Sequence, residues 1–105
     1  MNIVLLTGRL TSNARLRGKK ARVLAFTVET KQKIDNEQEE RSSFVPCVAF
    51  NVPTEIEAAL LERGQSQFVE LQGRITTTDF ETAGERQHSV EVIVFNKSLT
   101  LRDVA

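Results

Sequence analysis

The chain has 105 residues, 40% of them hydrophobic and 27% charged, and its formal net charge at pH 7 is zero. This composition is ordinary for a globular protein, so we expect residues 1–105 to form one domain with a hydrophobic core. The sequence contains neither the ~18 apolar residues of a membrane span nor a signal-peptide layout. Its single cysteine, Cys47, excludes an internal disulfide. A lone cysteine fits a reducing compartment, so we expect a cytoplasmic protein.

The neutral total hides an uneven distribution of charge. Residues 1–28 contain six basic residues and no acidic one, whereas the rest of the chain carries eight basic and fourteen acidic residues. Such a separation can form a basic patch that binds a polyanion. It can equally leave the basic side chains spread over a solvated loop. Charge alone does not decide between these two interpretations.

The first part of the chain predicts two strands and two loops. Residues 2–10 are almost continuously apolar, which predicts a strand buried on both sides, one of them by an oligomer interface. Gly8 within this run indicates a bend or a close backbone approach. The basic stretch 11–22 predicts a loop. Residues 23–30 alternate between apolar and polar positions, which predicts a half-buried strand, and the polar stretch 31–42 predicts a long mobile loop.

The third predicted strand, residues 43–51, is rich in β-branched and aromatic residues. Side chains alternate between the two faces of a strand, so the residues divide into two sets. The small residues Val45, Cys47 and Ala49 share one face, and Phe44, Pro46, Val48 and Phe50 share the other. The small set suits a tightly packed interior. The other face carries two aromatic rings, which are either buried as well or available to a flat ligand.

One helix follows this strand. Thr54 and Glu57 fit a capping box and Gly64 fits a helix stop, which together predict a helix of about ten residues. Residues 67–78 and 89–95 predict two more strands, joined by a hairpin with a glycine-containing turn. Three strands, a short helix and two strands form the order of the oligonucleotide/oligosaccharide-binding (OB) fold, an all-β barrel of five strands.

The OB fold has a defined binding face. It consists of the second and third strands, flanked by the loop between strands one and two and the loop between strands four and five. In this chain the basic stretch 11–22 is the first of these loops, and the hairpin that carries Phe80 is the second. The fold assignment therefore places a basic loop and an aromatic hairpin beside the strand 43–51.

No pattern in the sequence indicates an enzyme. His88 is the only histidine, and the sequence has no Cys/His cluster with the spacing of a metal site. It also lacks a glycine-rich phosphate loop and a nucleophile elbow. We therefore expect a binding protein that has no cofactor and no metal.

Basic and aromatic residues together predict binding of single-stranded nucleic acid, in which bases stack on aromatic rings and cations hold the backbone. Phe44, Phe50 and Phe80 are the candidate stacking residues, although strand-end phenylalanines such as Phe50 are commonly core residues. We assign Phe26 and Phe68 to packing. The candidate backbone contacts are Arg9, Arg15, Arg17, Lys19, Lys20, Arg22, Lys31, Lys33 and Arg74.

Six short stretches resemble the bacterial single-stranded DNA-binding protein (SSB) family. They are NIVLLTGRL (2–10), AFTV (25–28), FVPCVAF (44–50), LERG (61–64), GRI (73–75) and VEV (90–92), in the family's order over nearly the whole chain. The resemblance implies single-stranded DNA binding in replication, recombination or repair, and a homotetramer. By this resemblance, Phe44 and Phe80 fall where the family stacks tryptophans, and Phe50 falls on a phenylalanine that contacts bases. Ile34 falls near a further stacking tryptophan and is not aromatic here.

The chain also departs from the family pattern. It has no tryptophan, and phenylalanine has a smaller π-face, so each stacking contact should be weaker. Pro46 replaces a polar or basic position and lacks a backbone donor, which suits an edge or a bulge. The sequence ends without the family's linker and acidic tip, which puts recruitment of replication or restart proteins through such a tip in question.

Two other interpretations stay open on the sequence. One is a dimeric protein similar to primosomal replication protein N, which binds DNA in replication restart; its mass in solution would distinguish it from a tetramer. The other is an OB-like module that binds proteins and has no role with nucleic acid. The acidic excess of residues 29–105 is compatible with that module.

Overall fold

The computed structural model describes residues 1–18, 22–33 and 40–102. Its elements in chain order are β1 (Val4–Leu10), β2 (Arg15–Arg17), β3 (Val23–Lys33), β4 (Glu40–Phe50), α1 (Thr54–Arg63), a 3₁₀ turn (Gly64–Ser66), β5 (Phe68–Thr82), β6 (Glu85–Val94) and β7 (Thr100–Arg102). Five of the strands are long, and the helix lies between the third and fourth of these.

The five long strands pair in a closed ring. β1 pairs with β3, β3 with β4, β4 with β6, β6 with β5, and β5 returns to β1. Only β4 and β6 run parallel, and the short strands β2 and β7 add to β3 and β5. This pairing order, with its single helix between β4 and β5, is that of the OB fold. The predicted fold class is confirmed.

The ring encloses an aliphatic core. Its largest fully buried side chains are Leu10, Leu24, Val28, Cys47, Leu60, Val69 and Leu71. Alternation along β3 puts Phe26 in the same cluster, as predicted. Burial, and secondarily the charge of Glu91, raise the pKa of the Cys47 thiol to about 12. The thiol therefore stays neutral near pH 7 and acts as a small hydrophobic group.

The helix has the predicted length but not the predicted cap. Pro53 is the N-cap residue, and no side chain caps the first turn, so the capping box is wrong. Thr54 lies one position inside the helix, and the Glu57 carboxylate bonds to the Arg22 guanidinium instead. Gly64 has a right-handed backbone. Its role is close packing, because a Cβ there would lie 2.9 Å from the Cα of Asn13.

The predicted loop 31–42 is wrong at both ends. Lys31 pairs with Ser42 and Lys33 with Glu40, so both strands continue through these residues. The paired ends of β3 and β4 form a hairpin arm that extends past the core, and both of its faces are exposed to solvent. Its sequence therefore has no apolar alternation. Residues 34–39, including Ile34, lie outside the described part of the chain. The arm of β5 and β6 likewise extends further than predicted, to a turn at Ala83 and Gly84 whose φ angles are 55° and 80°.

β1 was predicted to be buried on both sides, and within the described chain it is buried on one. Leu10 is fully buried, but Leu5 is 73% and Ile3 56% exposed. No element in the described ranges covers that second face. The alternative of a partner copy, which the sequence also predicted, is taken up below.

Candidate nucleic-acid interface

The outer face of β3 and β4 carries two exposed phenylalanines. Phe50 lies opposite Val23, and Phe44 lies opposite Glu29. Phe44 is 61% exposed and Phe50 39%. The two residues are six positions apart on one extended strand, which puts them about 20 Å apart, since a strand rises about 3.3 Å per residue. Two rings on one face at this spacing can stack on successive parts of an extended ligand.

The two faces of β4 divide as predicted. Cys47 and Ala49 are buried in the core and Val45 packs against it, whereas Phe44, Pro46 and Phe50 are exposed on the other face. The Phe50 ring is less exposed than that of Phe44, and it borders a shallow depression together with Phe95 and Leu99. Part of Phe50 therefore packs, and part is open to a ligand.

A row of five residues crosses this face between the two rings. The strand registers place Arg15, Ala25, Val48, Ile93 and Arg74 next to one another in that order. The two arginines are exposed, Ala25 and Val48 are buried, and Ile93 is half-buried. Four strand spacings of about 4.8 Å make the row about 19 Å long. It is an apolar floor with a cation at each end.

Pro46 lies in the middle of this face, opposite Thr27. The carbonyl of Thr27 accepts a hydrogen bond from the Thr11 N–H at 3.1 Å, and so points away from β4. Thr27 and Pro46 therefore form a non-hydrogen-bonded pair, in which proline removes no bond between β3 and β4. Its nitrogen faces the side where pairing of β4 with β6 begins only at Cys47. Pro46 thus occupies the point where two strands separate.

The candidate basic residues fall into three groups. In the described part of the chain, five are exposed and form no ion pair: Arg9, Arg15, Lys31, Lys33 and Arg74. Two are paired: Arg17 with Glu91, and Arg22 with Glu57, whose hydrogen bond and charge raise the pKa of Arg22. Lys19 and Lys20 lie outside the described residues.

The ion pair of Arg17 and Glu91 crosses the outer face of β3 and β4. The residues belong to β2 and β6, with β3 and β4 between them, and their charged atoms are 3.0 Å apart. Together with Ser12, Asn13 and Thr27 they line a cavity of about 210 Å³. A phosphate that binds Arg17 must therefore compete with the Glu91 carboxylate.

The β5–β6 hairpin carries the third candidate ring. The backbone of Phe80 pairs with that of Gln87, and its side chain lies outside the described part of the structure. The neighbouring Asp79 carboxylate lies 2.5 Å from Nδ1 of His88. Stacking on Phe80 stays a prediction.

Phe68, which the sequence assigned to packing, lies half-buried on the outer side of β5 and does not belong to the core cluster. It lines a cavity with Arg9 and Lys31. Alternation along β5 was the available signal, because Val69 and Leu71 occupy the inner face and leave Phe68 on the outer one.

The described residues contain no cluster of potential metal ligands. Among the same residues, no helix is long and apolar enough to cross a membrane.

The ring of strands and the aromatic, basic face of β3 and β4 define an OB-fold protein. The model of the Single-strand binding protein family matches residues 1–100. Single-stranded DNA-binding protein 2 of Listeria innocua is 37% identical over 97 residues, which cover 89% of this chain and 60% of that protein. Single-stranded DNA-binding protein 3 of the same organism is 34% identical, covering 89% and 59%.

A solved structure, the Plasmodium falciparum SSB complex with ssDNA, matches with a TM-score of 0.81 at 21% identity. The match covers 98% of this chain and 96% of that one. The chain therefore belongs to the single-strand binding protein family, and its members are binding proteins rather than enzymes. The chain spans about 60% of the length of the curated Listeria relatives it matches.

Proposed function

We propose that this chain binds single-stranded DNA with little sequence preference and acts in DNA replication, recombination or repair. The observation that carries the proposal is the pair of exposed rings, Phe44 and Phe50, on one strand face with unpaired cations on both sides. Bases of any identity can stack on such rings, whereas the cations attract the backbone. Phe80 would add a third ring from the hairpin.

The backbone would be held by two kinds of cation. The unpaired Arg15 and Arg74 lie at the two ends of the apolar floor, one on each side of the path between Phe50 and Phe44. Arg17 and Arg22 are already paired with carboxylates, so each gains less from a phosphate. The names of the Listeria relatives and the DNA in the Plasmodium complex support the same ligand. The buried free thiol of Cys47 supports a cytoplasmic location.

Salt dependence tests this proposal. If the five unpaired cations each neutralise one phosphate, log affinity against log salt has a slope of about −3.5, a loss of roughly 100-fold between ~50 and ~200 mM salt. Anisotropy of labelled oligo-dT measures this slope. The label is necessary because the chain has no tryptophan or tyrosine.

Two comparisons complete the experiment. Labelled duplex DNA should bind more weakly than oligo-dT, since stacking requires unpaired bases, and labelled single-stranded RNA measures the preference between the two kinds of single strand. The Phe80→Ala variant should bind oligo-dT more weakly than the parent chain. Affinity that ignores salt would contradict the proposal, and equal affinity for duplex and single strand would show that the bases do not stack on the rings.

We further propose that the chain forms a homo-oligomer through the exposed face of β1, as a tetramer rather than a dimer. Ile3 and Leu5 lie on that face, and their side chains are exposed to solvent in a single copy of the chain. Light scattering should give a multiple of the 11.8 kDa chain mass. Leu5→Glu should lower the mass, and Ala58→Glu on the exposed side of the helix should not. A monomer mass for the parent chain would contradict the proposal, and a dimer would favour the primosomal relative.

A further inference from the structure

The aromatic face does not end at Phe44. In the strand registers Phe44 lies opposite Glu29, Glu29 opposite Arg9, and Arg9 opposite Phe68. Directly opposed residues of antiparallel strands share a face, so these four side chains form one row across β4, β3, β1 and β5. Three strand spacings of about 4.8 Å make the path from Phe44 to Phe68, around the outside of the ring, about 14 Å long.

A cavity lies along this row. Its volume is about 280 Å³, and Thr7, Gly8, Arg9, Glu29, Thr30, Lys31 and Phe68 line it. This is smaller than the ~300–1,000 Å³ of sites for drug-sized ligands, which suits a single base or nucleotide. The Phe68 ring is half-buried beside this cavity and is not part of the core.

The charges of the lining favour an anion. Arg9 and Lys31 are exposed and form no ion pair with any residue in 1–18, 22–33 or 40–102. Glu29 is the single carboxylate against these two cations. The net charge of the lining is therefore positive by one, and the hydroxyls of Thr7 and Thr30 add neutral hydrogen-bonding groups. One phosphate beside one aromatic ring is the chemistry of a nucleotide.

We propose that this cavity is an additional nucleotide subsite, in which Phe68 stacks a base and Arg9 and Lys31 hold the adjoining phosphate. The DNA strand then runs along β4 from Phe50 to Phe44 and turns across β3 and β1 to Phe68. This inference rests on the proposed single-stranded DNA binding and extends its path around the ring. The contact between copies proposed at Ile3 and Leu5 lies on the same face of β1, and Leu5 is about 13 Å along the strand from Arg9. The proposal therefore assigns the Arg9 end of this face to DNA and the Leu5 end to a second copy.

Single tryptophans test the path. The parent chain contains no tryptophan or tyrosine, so emission of a variant comes from the introduced indole alone. Three variants are compared: Phe44→Trp on the proposed path along β4, Phe68→Trp in the cavity, and Ala58→Trp on the exposed side of α1 as the control. Each is titrated with oligo-dT of about 16 nucleotides, the upper end of OB-fold site sizes, and anisotropy of a labelled strand confirms saturation.

The expected result is that saturation quenches Phe44→Trp and Phe68→Trp and leaves Ala58→Trp unchanged. Phe68→Leu, which keeps apolar bulk without a ring, should weaken binding of this oligonucleotide at least about fivefold.

Three outcomes would overturn the subsite. Quenching of Phe44→Trp without quenching of Phe68→Trp at saturation would show that DNA binds but does not reach the cavity. A change in the light-scattering mass of Phe68→Leu would assign the ring to contact between copies. Absence of binding by anisotropy in the parent chain would remove the proposed function itself, and the subsite with it.

Discussion

Replacing Phe44 and Phe50 together by alanine should weaken oligo-dT binding at least about 30-fold. Each stacked base contributes ~1–3 kcal/mol through its aromatic partner, so two lost rings remove at least about 2 kcal/mol of binding free energy. Phe44 is 61% exposed, and its loss removes few internal contacts. Phe50 packs partly beside Phe95, so we expect a loss of about 1 kcal/mol in the free energy of unfolding.

The salt slope separates stacking from electrostatics in this variant. The double substitution leaves every cation in place, so log affinity should fall by the same amount at all salt concentrations. Its slope against log salt should equal that of the parent chain. Anisotropy titrations at several salt concentrations measure both quantities, and thermal unfolding verifies that the variant is folded.

A matched control is available on the other side of the sheet. Leu16 is a comparably exposed apolar residue, and it lies opposite the core residue Leu24, away from the face of Phe44. Leu16→Ala should bind oligo-dT as the parent chain does. Equal losses from Leu16→Ala and from the double variant would mean that binding depends on general apolar surface, and the assignment of Phe44 and Phe50 as stacking residues would fail.

The sequence predicted those strands that bury one face in the core and expose the other to solvent. Where Leu24, Phe26 and Val28 alternate with polar residues, strand and core assignment followed directly. The same alternation assigned Cys47 and Ala49 to the interior and Phe44 to the surface. The element order then sufficed for the OB fold, because few topologies place one short helix between the third and fourth of five strands.

Sequence reasoning failed where both faces of a strand are exposed to solvent. It also failed where contacts between residues distant in the chain determine the structure. Lys31–Lys33 and Glu40–Ser42 pair as strand without any apolar alternation to reveal it. Glu57 bonds to Arg22, a partner far away in the chain, instead of capping its own helix. Phe68 was assigned to packing, and its ring is only half-buried on the outer side of β5. The role of Pro46 depended on a hydrogen bond between Thr11 and Thr27, which no local pattern shows.

Gly73→Ala should destabilise the fold much more than the same change in the turn between β5 and β6. Gly73 lies in β5 where it pairs with Val4 on one side and Val94 on the other. A Cβ at this position would lie 2.4 Å from the carbonyl oxygen of Ile93 and 2.8 Å from Cγ1 of Val92. Both neighbours belong to the ring, so the backbone itself must shift.

The expected loss is about 3 kcal/mol of unfolding free energy, at the upper end of ordinary overpacking. For a chain of this length it corresponds to a fall in Tm of roughly 10–20 °C. Calorimetry at one protein concentration measures it, because association would make Tm depend on concentration. Below its Tm the variant should still bind oligo-dT, since Gly73 is buried behind the face that carries the rings.

Gly84→Ala supplies the contrast that identifies the cause. Gly84 has a φ of 80°, but a Cβ there would meet nothing within 4 Å. Alanine at this turn should cost only about 1 kcal/mol, through backbone strain in the left-handed region. Gly73 does not have a positive φ, so its larger effect would arise from steric contact between β5 and β6. A loss from Gly73→Ala no greater than that from Gly84→Ala would show that the ring can widen at this point, and that its closure does not depend on the close approach of the two strands.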